Sequence, residues 1–366
     1  MGAGRPPCQA TGTSGGVALD SRRGRNYPAA MIRVAVVGAG RWGINHVRAF
    51  ARIETAEVRA VCDGSDAALE KAKKLVPGAR LEKSYEAVLS AGDIDAVVLA
   101  TPAPAHAEMA IAALRAKKHV LVEKPLALSG ADAAAVAETA EREGRTLMVG
   151  HLLLFHPAVR RMQEALASGE IGDILYMYAV RVNLGTLRRD ENAMWSLAPH
   201  DISVMLHLLG REPIDVAARG AACLQPGVQD VVFVSLRFPG GVLGQIQNSW
   251  LDPRKERRIV VVGSKKMMEF DDVHPTDKLK IHDKGYDREP AFAEYSEFLS
   301  IRSGEIRTVD VSMAEPLDAE CRHFLECVEE GKRPLTDGAS AVRVVKVLEA
   351  AQKSMMADGL PVAIEG

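Results

Sequence analysis

The sequence predicts an α/β protein: a doubly wound parallel sheet at the N-terminal side, then an α+β domain with an open, largely antiparallel sheet. Three observations predict this. From Ile32 to about residue 150, short apolar runs alternate with amphipathic stretches, the pattern of parallel βαβ units. The first run leads straight into Gly38-Ala39-Gly40-Arg41-Trp42-Gly43, a Gly-x-Gly-x-x-Gly turn between a strand and a helix. Beyond about 150, strand-like runs follow one another with turn signals such as Pro239-Gly240-Gly241 between them.

In the first half, Ile32 to Val37 is the opening strand, and Glu57 to Cys62 is a second that ends at Asp63. A helix is expected near Ala67–Leu75, a strand over 95–102 and a helix over Glu108–Ala116. His119 to Glu123 reads as a buried strand that stops at Lys124-Pro125; a helix over 129–143 with Ser129 as its cap and a strand over 146–150 follow. In the second half, residues 157–172 read as one amphipathic helix. Strands are expected at 174–183, 230–237, 242–248, 258–262 and 267–270, and closing helices near 314–330 and 338–354. The predicted domains are 31–150, which holds the glycine turn, and 151–366, whose last helix is free to pack back on the first.

Residues 1–30 are rich in Gly, Pro, Ser and Arg and lack apolar periodicity, so they read as a disordered extension, with Met31 as an alternative start. With 47% apolar and 26% charged residues and a net charge of -2, the chain is ordinary for a globular protein and lacks the clustered basic surface of a nucleic-acid binder. No apolar run approaches the roughly 20 residues of a membrane span. The five cysteines, Cys8, Cys62, Cys223, Cys321 and Cys327, are scattered without zinc-type pairs, so no metal site is expected and a cytoplasmic setting is.

The glycine turn points to a dinucleotide. Gly38 makes the tight turn, Gly40 lets backbone approach a pyrophosphate, and Gly43 lets helix and strand pack closely. The helix start offers free N–H groups to phosphates. Asp63, 20 residues past Gly43, is placed to accept from a ribose 2′-hydroxyl and to repel a 2′-phosphate, which favours NAD over NADP. Thr101-Pro102 lies at the carboxyl end of another strand, the edge where open sheets bind ligands, and His106 opens the next helix, as a site residue or as a surface histidine.

Lys124 falls at the same sheet edge. Partial desolvation would lower its basicity and suit it to a substrate hydroxyl; Pro125 fixes the backbone behind it and is a candidate cis proline. The alternative is a solvated lysine in a strand-to-helix loop. In "WSLAPHDISVMLHLLG" (195–210), Ser196, His200, Ser203 and His207 share one stripe of a mostly apolar helix. His200, in the first turn, would stay neutral and able to take a proton, or else be a satisfied core histidine beside a capping Ser196. Arg181 and Asn183 share a strand face, and "RRDEN" (188–192), with Arg189 and Asn192, follows; these line a pocket for an anionic or hydroxyl-rich substrate, or form a solvated charge cluster.

Taken together, the glycine turn, Ala100–His106, Glu123-Lys124-Pro125, "ASGEIGD" (167–173) and the histidine helix resemble the glucose–fructose oxidoreductase / inositol dehydrogenase / rhizopine-catabolism (Gfo/Idh/MocA) family over roughly residues 31–360. The resemblance implies a Rossmann domain, NAD or NADP as cofactor, sugar, cyclitol or nucleotide-sugar substrates, a homodimer or homotetramer through the open sheet, and Lys124 and His200 acting on the hydroxyl. Many members carry Asp four residues before and three residues after the histidine; this chain has Ser196 and Ser203 there, and Asp201 directly after His200. The stretches "VGHLLLFHPAV", "RVNLG", "RRDEN" and "WSLAPHD", the last with Trp195, resemble instead the UDP-N-acetylglucosamine 3-dehydrogenase branch. The expectation is NAD-dependent oxidation of a secondary hydroxyl, at C3, of a nucleotide sugar. The alternatives are a free-sugar or cyclitol dehydrogenase or reductase, and a non-catalytic NAD- and sugar-binding regulator.

Overall fold

The computed structural model describes residues 31–185, 187–288 and 299–364; the expected disordered extension, 1–30, lies outside them. The first half is built from β1 (Ile32–Val37), α1 (Arg41–Ala51), β2 (Ala56–Cys62), α2 (Asp66–Leu75), β3 (Arg80–Glu82), α3 (Tyr85–Ser90), β4 (Ala96–Leu99), α4 (His106–Arg115), β5 (His119–Val122), α5 (Gly130–Glu143) and β6 (Leu147–Val149). The six strands form a parallel sheet in the order β3-β2-β1-β4-β5-β6. Its central strands are apolar on both faces because helices cover both: Val34, Val36, Val97, Val98, Leu99 and Val120 are fully buried. Chain order reverses between β1 and β4, which opens a crevice beyond their carboxyl ends. Sequence reading missed β3 and α3, three and six residues long, too short for a period to register.

The second half holds α6 (Pro157–Ala167), β7 (Ile174–Val182), α7 (Ala193–Leu209), β8 (Asp215–Ala221), β9 (Val231–Arg237), β10 (Leu243–Ser249), β11 (Glu256–Gly263), β12 (Met267–Asp271), β13 (Leu279–Arg288), β14 (Leu299–Val309), α8 (Pro316–Glu330), α9 (Gly338–Met356) and β15 (Val362–Ala363). These strands form one sheet, β14-β13-β12-β11-β7-β10-β9-β8-β15. Pairing is antiparallel except where β10 runs parallel to β7, so the sheet is mixed. The helix expected over 157–172 ends at Ala167, because Gly169 and Gly172 take positive φ of 71° and 76° and turn the chain into β7. A Cβ at Gly172 would meet the Ser264 hydroxyl oxygen at 2.3 Å.

Strands β8, β13 and β14 also escaped sequence reading. Small residues fill β8 (DVAARGA), and charge is interleaved through β13 (LKIHDKGYDR) and β14. Along β9, alternate residues Val232, Val234 and Leu236 face inward and join the core that includes Ile202, Met205 and Leu206 of α7. The opposite face leaves Tyr176, Phe233 and Leu243 half exposed. Helix α9 returns to the first half and packs on α5. A Cβ at Gly338 would lie 2.9 Å from Ala137 Cβ, and the Gly130 amide donates to Glu349 Oε2 at 2.9 Å. Among the described residues no helix is long and apolar enough to cross a membrane.

Candidate active site

The turn after β1 is shaped by what a side chain would hit. Gly38 has φ of 88°, and its Cβ would come within 2.6 Å of the Ala100 carbonyl oxygen; at Gly43 it would fall 1.6 Å from the Gly38 oxygen. A Cβ at Gly40 would meet nothing within 4 Å, so that side of the backbone faces open space. Gly40 precedes α1 without side-chain capping, and the first turn of α1 carries no acid, which leaves its amides free for an anion. Asp63 holds the turn: one carboxylate oxygen accepts the Ala39 amide and the other the Ser65 amide, each at 2.7 Å.

A cavity of about 580 Å³ opens on this turn. Gly38, Gly40, Arg41, Trp42, Asp63, Thr101, Pro102, His106, Glu123 and Lys124 line it, so the structure brings together most of the predicted cofactor residues. Buried Ala39 and Gly43 lie behind the surface and shape the turn through backbone packing. The residues present fit a dinucleotide: an open glycine, free helix-start amides and a carboxylate at the end of β2.

His106 is buried rather than on the surface. Its ring braces two segments, with Nδ1 2.7 Å from the Pro125 carbonyl and Nε2 2.8 Å from that of Thr101. Glu123 accepts a hydrogen bond from His46 Nε2 at 2.7 Å. Burial would push the Glu123 carboxyl up, but that bond and the electrostatic pull of the neighbouring His46 and Lys124 outweigh it and hold it below its usual value.

The Lys124–Pro125 peptide is cis. The Lys124 amine donates to the Ser196 carbonyl at 2.8 Å, tying the end of β5 to the first turn of α7. Pro199, inside that helix, has no N–H to offer the preceding turn, so the start of α7 is short of its own donors. Burial lowers the basicity of Lys124, against the opposing pull of Glu191 and Glu123. The lysine is thus partly buried and its amine tied to α7.

His200 borders a second cavity of about 460 Å³, with Arg181, His156, Arg257, Asp272 and Lys278; Trp42 borders both cavities. Part of its ring faces this cavity, and its buried Nδ1 lacks a protein partner. Burial, then the charges of Lys124 and Arg181, hold its basicity well below that of a free imidazole. The expected polar stripe is only partly turned to the cavity: Ser203 donates its hydroxyl to the His200 carbonyl at 2.8 Å, and Ser196 engages Lys124 through its backbone.

Several expected substrate residues do other work. Asp201 is fully buried, and its two oxygens accept three hydrogen bonds of 2.9–3.1 Å from Arg181 Nε and Nη2. Asn192 caps α7 by accepting the Trp195 amide at 3.0 Å, and donates to Gln352 at 2.9 Å. Trp195 donates its indole N–H to the same Gln352 oxygen at 3.2 Å. Asn183 and Arg189 line neither cavity; instead Arg188, Asp190 and Glu191 reach the first. These three belong to the RRDEN stretch expected to line a pocket, although Arg189 and Asn192 were the residues named from it; His46 and His151 were not expected at the site. His151 follows β6 after Gly150, at the carboxyl edge already singled out; it is buried, both its ring nitrogens lack protein partners, and burial with the charge of Lys124 lowers its pKa to about 4. Among the described residues no cluster of His, Cys, Asp and Glu could hold a metal ion.

Residues 32–151 match the family model described as the oxidoreductase family, NAD-binding Rossmann fold, and residues 159–269 match the GFO/IDH/MocA C-terminal domain. An inositol 2-dehydrogenase of Saccharopolyspora erythraea is 32% identical over 59% of this chain and 66% of its own. A myo-inositol 2-dehydrogenase of Thermotoga maritima is 27% identical over 88% of this chain and 96% of its own. The solved UDP-N-acetylglucosamine 3-dehydrogenase of Acidithiobacillus ferrooxidans superposes with a TM-score of 0.76 at 26% identity, covering 89% of this chain and 98% of that one. With both halves matched in order and the glycine turn and sheet-edge lysine in place, the chain belongs to the Gfo/Idh/MocA family of oxidoreductases.

Proposed function

We propose that the protein oxidises a secondary hydroxyl, at C3, of a nucleotide sugar such as UDP-N-acetylglucosamine, with NAD as acceptor. The observation that carries this is Lys124 in the wall of a crevice fitted to a dinucleotide, its amine donated to the first turn of α7, the helix whose His200 borders the second cavity; burial lowers the basicity of both side chains. The free amides at the start of α1 receive the pyrophosphate and Asp63 the adenosine ribose; the bound nicotinamide supplies the hydride acceptor. Asp63 disfavours a 2′-phosphate, hence NAD over NADP.

The chain's own residues do the remaining work. Lys124 leaves the Ser196 carbonyl to bond the substrate oxygen, and neutral His200 takes the hydroxyl proton as the carbonyl forms. Holding donor carbon and acceptor ring in contact removes much of the entropic barrier. Arg181 is held by Asp201 at the rim of the second cavity, where it and Arg257 offer N–H groups to sugar oxygens.

The likeness to UDP-N-acetylglucosamine 3-dehydrogenase over nearly the whole chain supports the nucleotide sugar. The two inositol dehydrogenases support a second reading, a cyclitol or free-sugar dehydrogenase. The paired bases speak against a regulator that merely binds NAD and sugar. We further propose a cytoplasmic protein that self-associates through the exposed sheet face bearing Tyr176, Phe233 and Leu243, where a second copy would cover these half-exposed side chains. A panel of UDP-sugars, free sugars and cyclitols, each with NAD and with NADP, tests the function. Reduction of NAD with a UDP-sugar supports it, and reduction only with cyclitols favours the second reading.

A further inference from the structure

The segment ahead of α7 brings Arg188, Asp190 and Glu191 into the wall of the first cavity, where Lys124 also stands. Glu191 is the residue immediately before Asn192, which caps the helix whose first turn accepts the Lys124 amine. Its side chain is 11% exposed, and its carboxylate is paired with Arg188 Nη1 at 2.5 Å. The Arg188 carbonyl in turn accepts from Gln225 Nε2 at 3.0 Å, which fastens the segment to the loop after β8. A carboxylate this enclosed and lining a ligand crevice has a use there beyond a surface ion pair.

We propose that Glu191 is a positioning residue: from the segment before α7, its carboxylate keeps the Lys124 amine charged and held against the Ser196 carbonyl until substrate takes that place. Titratable or charged groups surround the lysine from every side. Glu123 adjoins it just past β5, Arg181 comes from β7, neutral His151 from beyond the end of β6, neutral His200 from α7, and Arg188, Asp190 and Glu191 from the covering segment. Of the charges that raise its basicity, Glu191 is the largest, and Glu123 follows. The two favourable carboxylates differ in their attachments: Glu123 is held from beneath by His46, whereas Glu191 is shared with Arg188. Arg188 therefore opposes Glu191 twice, by drawing off its carboxylate and by repelling the lysine.

The proposal rests on Lys124 as the working amine, but its test does not require turnover. Trace acetylation of the full chain with acetic anhydride, across a pH series and read by peptide mass spectrometry, gives the midpoint at which Lys124 becomes reactive. Glu191→Gln is expected to lower that midpoint by about one pH unit, and Arg188→Gln to raise it by about half a unit. With NAD and the reacting sugar, the lysine-dependent limb of kcat/KM should move the same way in each variant, and Glu191→Asp should restore part of the wild-type position. A Glu191→Gln midpoint within ~0.2 units of wild type, or both variants shifting in one direction, overturns the proposal. If Glu191→Gln does not fold, Arg188→Gln decides alone: an upward shift supports, and no shift or a downward one refutes. A sugar panel that fails while labelling shifts as stated would sink the proposed reaction and leave this coupling standing.

Discussion

Replacing Asp201 with alanine is expected to destabilise the protein by about 3–5 kcal/mol, because it strands the Arg181 guanidinium in the interior. The pair is 5% and 0% exposed, and three hydrogen bonds join it. At roughly 2.1 cal/mol/K of unfolding entropy per residue, some 330 folded residues give about 0.7 kcal/mol/K, so the melting temperature should fall by roughly 4–7 °C. Denaturant titration and thermal melting both measure this, with NAD affinity as a control that should change little. The unpaired guanidinium should also depress His200 further, since Arg181 already lowers its basicity. Replacing both partners, Arg181→Met with Asp201→Leu, should recover most of the stability, because the cost lies in the uncompensated charge. An Asp201→Ala protein within ~1 kcal/mol of wild type but nearly inactive would refute this, and would return Asp201 to the substrate.

Three further outcomes follow from the same geometry. Lys124→Ala and His200→Ala should each lower turnover on the order of 100-fold or more, and the double variant by less than the product, since both act on one proton transfer; near wild-type turnover in His200→Ala with a much lower melting temperature would make it a packing residue. Asp63→Ala should narrow the preference for NAD over NADP and also cost about 1–2 kcal/mol, because the Ala39 and Ser65 amides lose their acceptor; affinities for both cofactors and a melt check it. His151, lowered from 6.5 to about 4, stays neutral in the fold while its unfolded counterpart protonates, so stability should fall as pH drops below about 6.5. Its share between pH 7 and 5 is about 2 kcal/mol, and His151→Gln should flatten unfolding free energy over that window by this amount.

The parallel half was legible because buried strands, glycine turns and helix caps are local signals. Gly38 and Gly43 each meet a steric demand that their spacing announces, and Gly40 leaves the backbone open toward the cavity. Helix α6 ran too long in sequence reading because "ASGEIGD" continues the amphipathic pattern, whereas the glycines that stop it act through positive φ. Charge-rich β13 and β14 gain strand character from pairing with each other and with β12, which no local period reports. At the site, Lys124 was singled out by its place at the carboxyl edge of the parallel sheet and His200 by the polar stripe of an apolar helix; the structure puts one in the wall of the first cavity and the other in the wall of the second. Asp201 and Trp195 were misjudged because a polar or aromatic residue beside a catalytic motif looks the same whether it faces substrate or, as here, Arg181 and Gln352. His46 reaches Glu123 across 77 positions, a contact that only the folded chain makes.

Everything proposed for the site requires that Lys124 serve the oxidation of a sugar hydroxyl. The decisive measurement follows formation of reduced nicotinamide by its near-ultraviolet absorbance, with NAD and UDP-N-acetylglucosamine, for wild type and for Lys124→Met, and identifies the product carbon by NMR. Reduction dependent on the UDP-sugar, a keto group at C3, and loss of about two orders of magnitude or more in the variant without loss of NAD binding are the expected results. Reduction that persists unchanged in Lys124→Met, or a wild-type protein that binds NAD and reduces none with any sugar or cyclitol, would contradict this role.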